Sequence, residues 1–124
     1  AIAQTNLKIE RYTPELLTYM QKADLSISMC GYNTTMNVLN TGVRAMMMAF
    51  TGSDDREQAI RLQKLAALGI VKAINPKDLQ PEKFATQIIN YLQQQPITWK
   101  FDFNGVANTA ACLQSLVREP AIAA

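Results

Sequence analysis

Histidine is absent from this chain. That excludes schemes in which an imidazole activates a serine or a cysteine, and it removes the commonest zinc ligand. Only two cysteines occur, Cys30 and Cys112, and neither sits in a Cys-x-x-Cys pair. They read as free thiols in a reducing compartment, not as a disulfide or a metal site. No apolar stretch approaches the ~20 residues that a membrane span needs. The first residues lack the basic start and apolar core of a signal peptide. An excess of one charge is missing too: 12 basic residues face 10 acidic ones, for a net charge of +2. The basic residues are scattered, which gives no case for nucleic acid. A cytoplasmic protein is the expectation. Neither an internal repeat nor a low-complexity segment is visible.

What is present is apolar matter in ordered blocks. Hydrophobic residues make up 48% of 124 positions, enough for one real core and one domain. Leu7 to Glu10 alternates apolar and polar and predicts a short first strand. Thr13-Pro14-Glu15 predicts a helix start, with Leu16, Leu17 and Met20 on its inner face. Leu25 to Met29 predicts a buried strand whose Ser26 and Ser28 let a helix pack closely. Val43 to Phe50 is almost continuously apolar and predicts a central parallel strand. Its methionines read as core filler, and Arg44 as a strand-start residue whose head reaches water. Ile70 to Ile74 predicts a fourth strand. A helix from Pro81 turns Phe84, Ile88, Ile89 and Leu92 inward. The segment from Ile97 to Phe103 reads as an extended link. A last helix from about Gly105 packs through Val106, Ala110, Leu113 and Val117.

Strand, turn and helix alternate, so the fold class expected is α/β with parallel strands. In such sheets ligands sit beyond the carboxyl ends of the strands. Two polar turns fall there. The first, Gly31-Tyr32-Asn33-Thr34-Thr35, leads into a helix capped by Asn33 or Thr34 and ended by Gly42. A helix start offers free N–H groups to an anion such as phosphate. The second, Thr51 to Asp55, leads into a helix where Asp54 and Glu57 have capping-box spacing and Gly69 stands at C′. Glu57 and Gln58 would accept hydrogen bonds from hydroxyls in the crevice. On spacing alone, ordinary capped turns without a ligand are favoured at both places.

Taken together, GYNTTMNVLNTGVRAMMMAF, DREQAIRLQKLAALGIV and LQPEKFATQI resemble the carboxyl-terminal domain of GT-B glycosyltransferases of the family 28 type. That group includes the N-acetylglucosaminyltransferase of peptidoglycan synthesis. A subgroup of predicted bacterial glycosyltransferases shares the GYNTT turn and the REQ helix start, and FDFNGVANTAACL is similar to its final helix. The likeness runs from about Ile9 to Val117. It implies a partial Rossmann-like three-layer domain with about four parallel strands. Residues 1–124 would be one domain, a piece of the nucleotide-sugar-binding half of a longer enzyme.

The resemblance also implies the ligand and its contacts. The donor is a nucleotide-sugar, usually a UDP-sugar, and no further cofactor is implied. Tyr12 falls where the family's backbone meets the base. Gly31, Tyr32, Asn33, Thr34 and Thr35 match the turn near the diphosphate. Asn37 stands where the family has a glutamate on the ribose hydroxyls. Glu57 and Gln58 match contacts to sugar or nucleotide. The acceptor, and the base acting on its hydroxyl, belong to a separate amino-terminal domain. This chain alone is therefore expected to be inactive in hexosyl transfer, with no catalytic residue of its own. The full enzyme would lie in the cytoplasm or on the inner face of the membrane. An exposed sheet edge predicts a homodimer. Three departures, Asn37 for the glutamate and Arg44 and Ala49 for prolines, keep open a non-catalytic α/β interaction module. A small hydrolase has little support, since no nucleophile–base pair is present.

Overall fold

The computed structural model describes residues 6–50, 52 and 56–118. In chain order it contains α1 (Leu16–Lys22), β1 (Ser26–Met29), α2 (Tyr32–Thr41), β2 (Ala45–Met48), α3 (Glu57–Ala67) and β3 (Val71–Ala73). A 3-10 turn at Pro76–Asp78 precedes α4 (Pro81–Gln93), and α5 (Gly105–Arg118) comes last. The three strands form one parallel sheet in the order β1-β2-β3.

The central strand follows from its composition. Ala45, Met46 and Met47 are wholly buried, as the continuous apolar run requires of a strand covered on both faces. Ala45 and Met47 share a face with Val71 and join Val38 of α2 and Leu62 and Leu65 of α3 in the core. Met20 of α1 closes that core at one side. Two glycines stop the crossover helices as their sequence places suggest. Gly42 (φ 71°) and Gly69 (φ 72°) hold left-handed conformations that a side chain would strain.

Several expectations need correction. Leu7 to Glu10 forms no strand, so the described residues hold three parallel strands and not about four. Ile9 is 84% exposed there, and no neighbouring strand accepts its backbone hydrogen bonds. β1 is an edge strand, not a buried one. Its serines are half-buried, while Ile27 and Met29 face outward on the side of Met46. The cap of α2 is Gly31, not Asn33 or Thr34, and no side chain bonds to this helix start. Thr13 Oγ1 does accept from the Glu15 N–H, but α1 begins only at Leu16. No residue of α5 is buried, so the expected packing of Val106, Ala110, Leu113 and Val117 does not occur. Thr51 and Ser53 to Asp55, with the Asp54 half of the expected capping box, lie outside the described residues.

The link after α4 is better anchored than its composition suggests. Trp99 packs on the core and donates from Nε1 to the Leu39 carbonyl at 3.0 Å. Arg44 sits just before β2 and reaches back to α4. Its guanidinium donates to the carbonyls of Tyr91 (2.9 Å), Leu92 (2.6 Å) and Gln94 (2.9 Å). These lie at the end of α4, where a cation is favoured; Tyr91 O also accepts from the Gln94 N–H at 3.2 Å. Its head therefore serves the fold and does not simply reach water.

Candidate functional site

Parallel pairing sets the geometry of the two turns. Met29 of β1 lies beside Met48 of β2, and Cys30 N–H continues the ladder by donating to Met48 O at 2.8 Å. Both chains then leave the sheet at the same end. The first turn enters α2 directly, and α3 begins at Glu57.

At the first turn, Gly31 has extended backbone (φ −68°, ψ 157°) and precedes the first helical residue, Tyr32. The N–H groups of Gly31, Tyr32, Asn33 and Thr34 donate to no described residue. Thr35 differs. Its N–H is taken by Gly31 O at 2.9 Å, and its hydroxyl lies buried 3.6 Å from the Cys30 thiol. Thr35 thus points into the core and has nothing left to offer a ligand. Tyr32 and Asn33 are exposed, and Thr34 is half-buried. Asn37, one turn further along α2 than Asn33, is half-buried. Its carbonyl accepts from Thr41 Oγ1 at 2.7 Å, and its side-chain amide bonds to no described residue.

The start of α3 is tied to the sheet and to the first turn. Gln58 Oε1 accepts from Phe50 N–H at 3.1 Å, joining the start of α3 to the end of β2. One lone pair of the Gln58 oxygen is therefore engaged, leaving the other and the amide NH2 to meet a ligand. Glu57 stands exposed in the first turn of α3 and forms an ion pair with Arg61 one turn later. Arg61 was not expected from sequence. Its other arm donates to Cys30 O at 2.8 Å, and the guanidinium lies 5.7 Å from the centre of the Tyr32 ring. The i,i+4 spacing of Glu57 and Arg61 is visible in sequence, but the contacts to Cys30 and Tyr32, 31 and 29 positions earlier, are not.

Tyr12 is not tied to this assembly. It is 82% exposed and makes no hydrogen bond or ring contact with a described residue. A separate cavity of about 420 Å³ opens at the amino ends of β2 and β3, lined by Arg44, Lys72, Tyr91 and Trp99 among others. It lies at the opposite end of the sheet from the two turns. Among the described residues no cluster of acidic or cysteine side chains could hold a metal. No helix among them is long and apolar enough to cross a membrane.

The arrangement is therefore a row of unfilled main-chain donors at one strand end. Beside it, at the next strand end, stand a carboxylate and an amide. Such a row suits an anion, and the neighbouring polar groups suit hydroxyls. No curated protein and no solved structure matches the chain. A family model does, covering residues 2–98 with both turns included. The parallel sheet, the paired turns and that match lead to one conclusion: the chain belongs to the glycosyltransferase family 28 C-terminal domain family, the Rossmann-like donor-binding part of those enzymes.

Proposed function

We propose that this domain binds the nucleotide diphosphate of a UDP-sugar between its two turns, with the diphosphate on the amides of Gly31 to Thr34. What supports the reading is that those four N–H groups meet no acceptor among the described residues, while the start of α3, with Glu57 and Gln58, is held to the same strand ends by the Gln58–Phe50 and Arg61–Cys30 bonds. Gly31 adds support. Its φ is ordinary, and a Cβ built on it would meet nothing within 4 Å. Neither backbone strain nor packing asks for glycine here; its helix-cap position accommodates one, and the absent side chain leaves room for a ligand to approach the backbone closely. Thr35 holds the turn from inside through Cys30, and Asn37 offers its uncommitted amide to the ribose. Glu57 and Gln58 meet sugar or nucleotide hydroxyls.

In the complete transferase a separate amino-terminal domain would bring the acceptor and its base. This half would hold the phosphate charge as the leaving group departs. Alone it binds the donor and transfers nothing. Affinity should be millimolar, about 4 kcal/mol. An amide at position 37 grips a diol less well than a carboxylate, by roughly 1–2 kcal/mol. Calorimetric titration with UDP tests this. Asn37→Glu should bind about tenfold more tightly than the unaltered chain. Absence of UDP binding by both proteins at millimolar ligand would refute the donor site. Binding that Asn37→Glu leaves unchanged would remove Asn37 from the ribose.

A further inference from the structure

We infer that Arg61 is a positioning residue that fixes the first turn relative to the start of α3 and so sets the row of amides against Glu57. This rests on the donor-binding reading above. Arginine is mostly a surface residue, yet this side chain is only 17% exposed while Glu57 beside it is 63% exposed. Its planar fork is divided between two elements. One arm donates to Cys30 O, the last carbonyl before the turn, and the other pairs with Glu57 at the start of α3. The same guanidinium lies by the Tyr32 ring, on the first residue of α2.

The bond to Cys30 O has a direct consequence for the amide row. In a planar trans peptide the carbonyl and the following N–H point in opposite directions. Holding Cys30 O toward Arg61 turns the Gly31 N–H away from it, and that is the first of the four free donors. Arg61 therefore orients the peptide that opens the row and the carboxylate that stands beside it. A lysine carries the same charge but is a point donor on a flexible stem, and it cannot hold both partners in a fixed plane.

The test compares the unaltered chain with Arg61→Lys by amide NMR, first free and then titrated with UDP. In the free protein the substitution should shift the Gly31 and Tyr32 amides and speed their hydrogen exchange, with β2 amides unmoved. With UDP it should weaken binding about tenfold, the scale of one charge-assisted hydrogen bond. Unchanged Gly31 and Tyr32 amides in the free variant would overturn the inference, as would UDP affinity equal to that of the unaltered chain. If neither protein binds UDP, the donor reading fails, and the free-state amides still decide whether Arg61 positions the turn. Should Arg61→Lys not fold, the unaltered chain decides. Separate, slowly exchanging guanidinium signals from Arg61 support the fixed fork, and one averaged, fast-exchanging signal overturns it.

Discussion

Gly31 and Arg44 show how single residues divide between site and scaffold. Gly31 has open space around it and an unstrained backbone, so Gly31→Ala should alter stability by less than about 1 kcal/mol, the scale of a helix-cap change. The same methyl group would sit where a diphosphate approaches, so UDP binding should fall at least tenfold. Thermal melts and a UDP titration of the one variant check both halves. A large stability loss would mean that the fold, not a ligand, requires the glycine. Arg44 lies on the scaffold side. Arg44→Ala removes three bonds to carbonyls at the end of α4 and should cost roughly 1–3 kcal/mol while leaving UDP affinity unchanged. Denaturant unfolding measures the first effect. A variant as stable as the parent would show that these carbonyls are equally well served by water.

Among the elements, α4 and α5 bury no residue: Ile89 and Leu92 of α4, expected inward, are exposed, and so is every residue of α5. The core runs from Met20 to Val71, with Trp99 packed against it, and α5 contributes no residue to it. Removing residues 104–118 should therefore leave the thermal midpoint of the remaining domain unchanged within a few degrees. A fall of 10 °C or more would mean that α5 packs on the core in solution. The start of α5 has its own support. The Asp102 carboxylate accepts from the Asn104 N–H and from the Asn108 side chain, which hold its pKa below the ordinary carboxylate value. A lowered pKa means that this support is complete above the unfolded value and is lost as pH falls through the folded one. The Asn104 amide signal should therefore move as pH falls below the ordinary carboxylate range, and it should not titrate in Asp102→Asn.

Elements specified by local pattern were legible in sequence, and those needing distant partners were not. The run Val43 to Phe50 could only be an interior strand, and Gly42 and Gly69 marked helix ends through their lack of a side chain. Leu7 to Glu10 has equally good alternation, but a strand also needs a neighbour, which local pattern does not contain. In β1 the small serines turn toward the helices and the larger Ile27 and Met29 turn out. That orientation is set by the partner layers rather than by the strand itself. That β1 and β2 end at one rim was legible because parallel strands bring like ends together. The fastening of α3 to the first turn was not, because Arg61 meets Cys30 and Tyr32 only after folding. Trp99 likewise finds its Leu39 carbonyl 60 positions back.

For the whole molecule, the sheet matters because parallel pairing brings the ends of β1 and β2 to one rim. Four backbone donors at the start of α2 meet no acceptor among the described residues, and the proposed site takes a diphosphate in preference to a neutral ligand. The most direct test is an amide NMR titration of the unaltered chain with UDP, run beside uridine at equal concentration. The account predicts saturable shifts at Gly31 to Thr34 and at Glu57 and Gln58 with UDP, and little movement at Gly31 to Thr34 with uridine. Shifts at those four amides that are equal for the two ligands, or absent with UDP, would contradict it.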